Sequence, residues 1–157
     1  MKNLIILCGI PGSGKSTWAN SQKNVKVVSR DDIRMKFIKD DEDYFSHETE
    51  VFAEFITQIK GAIYSRDISY DAVIADATHL NYFSRKKLLS RLFNDSNIDE
   101  NNLKDLPIIF VFFHESLDTC LARNAKRTGR KRVPDETIID MYEHLTEPPD
   151  CLYCPGF

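Results

Sequence analysis

Short apolar runs alternate with amphipathic stretches along most of the chain. We predict buried strands at four of these runs, residues 3–8, 25–29, 72–75 and 107–113. The last run, PIIFVFF, is uniformly apolar, as a strand covered on both faces should be. In the longest helical stretch, apolar residues recur at i, i+3, i+4, i+7 and i+11 from Phe52, which predicts a stripe that packs in the core.

Helical patterns follow the predicted strands in turn. We predict helices at 15–22, 30–38, 46–66, 84–93, 117–126 and 134–145, and a loop at 94–105. Strands alternating with helices predict an α/β fold, in which a parallel sheet of four to five strands has helices on both faces. We expect one domain over residues 1–157. Ligands of such sheets bind beyond the carboxyl ends of the strands, so the chemistry should lie directly after each strand.

The first strand ends in GIPGSGKST, in which Gly9, Gly14, Lys15 and Ser16 satisfy the phosphate-loop pattern between a strand and a helix. Its glycines let backbone N–H groups approach phosphate oxygens. Lys15 would place its charge on the β and γ phosphates of ATP, and the Ser16 hydroxyl would bind Mg²⁺. The predicted cofactor-binding residues are Gly9, Pro11, Gly12, Ser13, Gly14, Lys15, Ser16 and Thr17.

The second strand is followed by SRDDIR, which places Asp31 three residues before Arg34 on one helical face. A carboxylate beside a guanidinium suits an acceptor hydroxyl, because Asp31 can take its proton while Arg34 binds a neighbouring phosphate. Asp is also a good residue for the cap and first turn of a helix. Local sequence alone leaves these two interpretations of Asp31 open.

The third strand ends in ADATHLN. Asp76 resembles the acidic residue that supports Mg²⁺ in phosphate-loop enzymes, and the absence of glutamate at Ala77 disfavours hydrolysis for mechanical work. Thr78, His79 and Asn81 are candidate hydrogen-bonding groups for the acceptor. We expect His79 to be a surface residue and give it no catalytic role.

The net charge of −3 is unevenly distributed. The block RNAKRTGRKR at 123–132 holds six basic and no acidic residues, so the rest of the chain carries −9. Arg123, Arg127 and Arg130 share one face if the helix persists, while Gly129 predicts a break and a mobile loop. Arginines on a closing lid can neutralise charge in phosphoryl transfer, although a solvated basic surface is the other interpretation.

Composition limits the compartment and the metal chemistry. No apolar run is long enough to span a bilayer, and the first residues lack a signal-peptide cleavage pattern, so we expect a cytoplasmic protein without membrane contact. Cys8 and Cys120 fit buried positions. Cys151 and Cys154 form a single C-x-x-C motif, which is too few ligands for a zinc site. We expect the proline-containing tail to be extended on the surface, and its role stays open.

Four motifs together resemble the 5′-kinase domain of phage-type polynucleotide kinase, within the phosphate-loop kinases related to adenylate kinase. They are GIPGSGKSTWA, SRDDIR, VIADATHLN and RNAKR…VP…MY, and their order and spacing cover most of the chain. The resemblance implies that ATP and Mg²⁺ are bound by Lys15 and Ser16. It also implies a general base at Asp31, an acceptor-phosphate ligand at Arg34, and a lid contact to the donor phosphates at Arg127, assisted by Arg123.

The sequence predicts an ATP-dependent kinase acting on the 5′-hydroxyl end of a nucleic acid. Two alternatives stay open at this point. One is a phosphate-loop kinase for a small acceptor such as a nucleoside, a sugar or a tRNA-borne group, supported by the acidic remainder of the chain. The other is an ATP-binding switch without transfer, although no guanine-binding N-K-x-D motif is present. Oligomeric state, nucleobase preference and the choice between DNA and RNA stay undetermined.

Overall fold

The computed structural model describes residues 1–156, apart from the side chain of Arg130. Its strands are β1 (Asn3–Cys8), β2 (Val25–Ser29), β3 (Ala72–Asp76), β4 (Ile108–Phe113) and β5 (Leu152–Cys154). Its α-helices are α1 (Lys15–Ser21), α2 (Arg30–Phe37), α3 (Glu48–Ile63), α4 (Tyr82–Phe93), α5 (Leu117–Ala125) and α6 (Asp135–His144). A 3₁₀ turn spans Gly129–Lys131 within the basic block. Phe157, the last residue of the predicted domain, lies outside the described residues.

The five strands form one parallel sheet in the order β2-β3-β1-β4-β5. This confirms the predicted α/β fold with four to five strands. Side chains alternate across β1, so Leu4 and Ile6 pack against α3 and α4 on one face. Leu7 packs with Ala19 of α1 on the other face. Helices therefore cover both faces, as predicted, and the carboxyl ends of the strands stay open.

Helices α5 and α6 form a smaller cluster at that open end. Cys120 and Ile138 are buried there against Ile10 of the phosphate loop. Cys8 and Cys120 are both fully buried, which confirms their predicted positions. This cluster fixes the phosphate loop against the helix that leads into the basic block.

The tail forms a strand that the sequence did not predict. β5 pairs in parallel with β4 at the sheet edge, in register Val111↔Leu152. It is only three residues long, and Leu152 is well exposed. The prediction of an extended surface segment is therefore right in conformation, while its pairing adds the fifth strand. The prediction that β4 is covered on both faces along its whole length is wrong at Ile109, which is 43% exposed.

No helix among residues 1–156 is long and apolar enough to cross a membrane.

Candidate active site

The phosphate loop joins β1 to α1 and supplies one wall of the site. Gly12 and Gly14 have φ values of +85° and +97°, a backbone region that favours glycine. A Cβ at Gly12 would lie 2.7 Å from the carbonyl oxygen of Cys120, so α5 packs directly on the loop. Gly9 allows a different close approach, since a Cβ there would lie 2.9 Å from Cβ of Phe113.

Lys15 and Asp76 bring opposite charges together at the start of α1. Lys15 donates from Nζ to the carbonyl of Ile10 at 2.9 Å, and the Ser16 hydroxyl donates to Asp76 Oδ2 at 2.7 Å. Burial lowers the pKa of Lys15, an effect that Asp76 opposes. Burial raises the pKa of Asp76, an effect that Lys15 and Ser16 oppose. A bound phosphate would be a second anion beside Lys15, in addition to Asp76, and would further favour its charged form.

Asp31 and Arg34 lie on the opposite wall, on α2. Ser29 caps this helix, because its hydroxyl accepts from the backbone N–H of Asp32 at 3.2 Å. Asp31 is therefore not the cap, but it does lie in the first turn, as the structural interpretation also allowed, and about half of its side chain is exposed. Its Oδ1 accepts hydrogen bonds from Arg34 and Tyr44. Among the described residues, none donates to Oδ2.

Arg34 is almost fully buried and is held by Glu48 at the start of α3. Its Nε and Nη2 donate to the two oxygens of Glu48 at 3.0 and 2.6 Å. Nη1 donates to Asp31 and, at 2.8 Å, to the Tyr44 hydroxyl. Burial, followed by the charge of Asp31, raises the pKa of Tyr44, so the phenol stays protonated and donates to the carboxylate. This network fixes the direction of Asp31.

The two walls enclose a cleft of about 230 Å³. Most of the predicted site residues line it, namely Pro11, Gly12, Gly14, Lys15, Ser16, Thr17, Asp31, Arg34, Asp76, Thr78 and Arg127. Ser13 and Arg123 line an adjoining cleft together with the phosphate loop. Gly9 and Asn81 line neither. Asn81 instead caps α4 in a capping box with Ser84, while Gly9 donates its backbone N–H to the Thr78 carbonyl at 2.9 Å.

The basic block begins on α5 and continues as a loop whose two ends are tied together. Arg123 donates to the carbonyl of Gly12 at 3.0 Å and pairs with Glu115 at 3.1 Å. The fully buried amide of Asn124 bonds both the N–H and the carbonyl of Val133, at 3.1 and 2.6 Å. Arg127 lies between these ends and faces the cleft. The side chain of Arg130 lies outside the described residues.

His79 is a buried residue, and the expectation of a surface position is wrong. Its Nδ1 lies 2.6 Å from the carbonyl of Leu7, and its ring stacks on Phe55 at 5.9 Å between centroids. Burial lowers the pKa of His79 to about 3, so the imidazole is neutral at physiological pH. Its role in this structure is to hold the loop after β3 against β1.

Several residues that contact or support the site were missed by sequence reasoning, and four of them hold it together through hydrogen bonds. Tyr44 and Glu48 lie in the acidic stretch DEDYFSHETE, which gives no signal of a partner on α2. The fully buried Arg85 of α4 donates to the carbonyl of His79 at 2.9 Å. Asn124 is the fourth, and its only sequence signal is a polar residue within an otherwise amphipathic helix.

Ser16 and Asp76 form an oxygen donor set that fits Mg²⁺. The ion binds proteins through one or two carboxylates, with water and substrate phosphates completing its shell. A hydroxyl and a carboxylate beside the phosphate loop match this chemistry. Among the described residues, no group of three or more His, Cys, Asp and Glu side chains converges on one point, so the protein alone would not enclose a metal.

A phosphate loop at the open end of a parallel sheet, facing a carboxylate across a cleft, defines a phosphate-loop protein with the P-loop kinase fold. The chain belongs to the AAA domain family, whose sequence pattern matches residues 4–148. It is 30% identical over 153 residues to a protein of Autographa californica nuclear polyhedrosis virus assigned as a bifunctional polynucleotide kinase/RNA ligase. The match covers 90% of this chain and 20% of the viral protein. The predicted resemblance to polynucleotide kinases is confirmed.

Solved structures share the fold. A chain of the Pnkp1/Rnl/Hen1 RNA repair complex has a TM-score of 0.67 at 24% identity, over 92% of this chain and 44% of that one. Kti12 from Chaetomium thermophilum in complex with ADP-AlF3 has a TM-score of 0.58 at 12% identity, over 96% of this chain and 87% of that one. A gluconokinase from Sinorhizobium meliloti has a TM-score of 0.54 at 18% identity, over 97% and 81% respectively. The chain thus spans a fifth of its viral relative and less than half of the RNA repair chain.

Proposed function

We propose that this chain is an ATP-dependent kinase that transfers the γ-phosphoryl group to the 5′-hydroxyl of a polynucleotide. The observation that supports it best is the position of Asp31. Its carboxylate faces the same cleft as Lys15 and the phosphate loop, and a buried network fixes its orientation. A nucleotide-binding protein without transfer has no need for a fixed carboxylate opposite its phosphates.

The donor side of the cleft is built for a triphosphate. Backbone N–H groups of the phosphate loop and the N-terminus of α1 attract phosphate oxygens. The Lys15 ammonium would exchange its bond to the Ile10 carbonyl for donor phosphate oxygens. Arg127, on the loop between Asn124 and Val133, would then stabilise charge on the transferred group, as a lid arginine does.

We propose that Ser16 and Asp76 hold Mg²⁺ with the donor. When bound, the ion would supply charge neutralisation at the phosphate oxygens. The raised pKa of Asp76 reflects burial of a carboxylate with limited compensation, which a nearby cation would relieve.

On the acceptor side, Asp31 acts as the general base. Arg34 and Tyr44 donate to its Oδ1, and no described residue donates to Oδ2, which would accept the hydrogen of an incoming hydroxyl. The hydroxyl oxygen forms a bond to the γ-phosphorus, the bond from that phosphorus to the bridging β,γ oxygen breaks, and ADP leaves. Arg34 is directed by Glu48 toward the same cleft and would contact the acceptor's adjacent phosphate.

A nucleic-acid acceptor is supported by the concentration of positive charge beside this cleft and by the viral relative's assignment. The six basic residues of 123–132 lie on the helix and loop that border the donor site. We further propose that residues 1–157 act as one kinase domain with a basic lid. The four free cysteines of the described residues are consistent with a cytoplasmic location.

The test is incubation with γ-labelled ATP and a 5′-hydroxyl oligonucleotide, comparing wild type with Asp31→Asn. Loss of general-base catalysis should lower kcat by about 10²–10⁴-fold without weakening ATP binding. Asp32→Asn is the matched control, since it removes the same charge one residue away on an exposed position. Equal activity of Asp31→Asn and wild type would refute the assigned base.

Salt dependence separates the acceptor classes. Binding of a single strand through several phosphates should weaken with a log–log slope of about −0.7 per phosphate contacted. If the oligonucleotide stays unlabelled while a nucleoside or a sugar becomes labelled, the protein is a small-molecule kinase. Tight ATP binding without any labelled product would indicate a switch.

A further inference from the structure

Both polar and apolar side chains line the cleft that holds Asp31, and the apolar ones include Phe45 and Met141. Phe45 lies in the connection between α2 and α3 and lines this cleft, as does Met141 of α6. The Phe45 ring is 40% exposed. Single exposed apolar residues are ordinary on protein surfaces, so the exposure matters here only because the ring borders the proposed acceptor site.

Phe45 is held in place by the same residues that orient the general base. The Tyr44 ring packs edge-on against it, with centroids 4.6 Å apart and planes at 83°. The Arg34 guanidinium lies 5.4 Å from the Phe45 centroid and 4.4 Å from the Tyr44 centroid. Arg34 therefore contacts Asp31 and Phe45 at once. The Phe45 ring and the carboxylate that would accept the proton therefore contact the same guanidinium group.

We propose that Phe45 is the stacking platform for the nucleobase at the 5′-hydroxyl end of the acceptor. This inference rests on the proposed function and specifies its substrate as an end with an accessible, unpaired base. A nucleotide whose 5′-hydroxyl meets Asp31 would extend its sugar and base along the cleft that Phe45 also lines. Stacking on an aromatic ring is tolerant of base identity because every base has a π-face.

The apolar side chains of Phe45 and Met141 favour binding of a nucleobase over binding of a polyhydroxylated acceptor. A sugar is recognised by hydrogen bonds to its hydroxyls, which Phe45 and Met141 do not supply. Base–aromatic stacking tightens binding by about 5- to 150-fold per base, and a nearby arginine adds a cation–π contribution. The platform therefore favours an acceptor that carries a nucleobase over one that does not.

The experiment compares Phe45→Ala with wild type on two acceptors. One is a 5′-hydroxyl oligonucleotide with a normal terminal nucleotide, and the other is the same oligonucleotide with an abasic terminal residue. We expect Phe45→Ala to raise the KM for the first about tenfold, and the KM for the abasic acceptor by less than about twofold. The KM for ATP should not change. Phe83→Ala, which removes a highly exposed ring on α4, is the control and should alter neither value.

A binding measurement separates this inference from the proposed function. Phe45→Trp should restore the acceptor KM, and without ATP its added tryptophan fluorescence should be quenched by the base-bearing oligonucleotide, compared with wild type. Equal KM increases for both acceptors, or no quenching by an oligonucleotide that wild type phosphorylates, would overturn the stacking role alone. Quenching without phosphorylation would overturn the proposed kinase activity and leave the stacking site. Neither quenching nor phosphorylation would overturn both.

Discussion

Replacing Arg85 by methionine removes a fully buried cation that three segments of the chain share. The guanidinium pairs with Glu100 in the loop after α4 and donates to the carbonyl of His79 at 2.9 Å. It also donates to the carbonyl and the hydroxyl of Thr146, at 3.0 and 3.1 Å. Methionine fills similar space without any donor. The substitution therefore tests how much the electrostatic connection stabilises the fold, apart from packing.

The expected loss in the free energy of unfolding follows from the groups that Arg85 leaves without a donor, namely Glu100 and the carbonyls of His79 and Thr146. Removing one member of a buried ion pair costs about 3–5 kcal/mol, because the other charge stays buried. The carbonyls of His79 and Thr146 lose donors as well, at about 1 kcal/mol each. We expect a loss of about 5–7 kcal/mol in the free energy of unfolding for Arg85→Met. This is a large share of the ~5–15 kcal/mol typical of a domain.

Glu100→Gln should cost a similar ~3–5 kcal/mol, because the fully buried Arg85 keeps three neutral acceptors but loses the carboxylate that balances its charge. The double variant should lose less than the sum of the single losses, with a coupling of about 1–3 kcal/mol. Urea unfolding followed by circular dichroism at fixed m-value measures all three. A loss below about 1 kcal/mol for Arg85→Met, or strict additivity in the double variant, would refute the reasoning.

Two further predictions concern the phosphate loop and the loop after β3. Gly12→Ala should weaken ATP binding at least tenfold by calorimetry, because its φ is +85° and a Cβ would meet the Cys120 carbonyl at 2.7 Å. Gly61→Ala, in a helix with open space around it, should instead raise the free energy of unfolding by about 0.5–1 kcal/mol. Unchanged ATP binding in Gly12→Ala, or destabilisation by Gly61→Ala, would contradict the packing argument. The pKa of His79 is about 3 in the folded protein and ~6.5 in the unfolded chain. The neutral imidazole therefore contributes fully to stability above pH ~6.5, and the free energy of unfolding falls by about 1.4 kcal/mol per pH unit below that value. His79→Asn, whose amide can replace Nδ1 on Leu7 and tolerates the φ of +39°, should lose less stability between pH 7 and 4.5, and an equal loss would exclude this proton linkage.

Most of the fold was predictable because its signals are local. Buried parallel strands are continuous apolar runs, so β1 to β4 were identified within a residue at each end. β5 was predicted only as an extended surface segment. It has three residues between prolines, and its strand character depends on pairing with β4, which lies far away in sequence.

The site was predictable to the extent that its residues follow strands directly. Asp76 is the last residue of β3, and Lys15 and Asp31 lie in the first turns of the helices that follow β1 and β2. Parallel strands bring these positions to one edge of the sheet. Tyr44 and Glu48 could not be assigned in this way, since they lie on a loop and a helix whose approach to Arg34 depends on the packing of α2 against α3. His79 was misjudged for the same reason, because its burial comes from contacts with Leu7 and Phe55.

The sequence by itself determined the parallel α/β architecture, the phosphate loop and the end of the sheet where the chemistry lies. Periodicity, glycine conformation and strand-end position are short-range properties, and a linear pattern contains them. Only the tertiary structure decided which oxygen of Asp31 has no donor among the described residues, what holds Arg34, and where the Phe45 ring lies. Each of these depends on hydrogen bonds and packing between residues separated in sequence, whose geometry exists only once the helices have docked on the sheet.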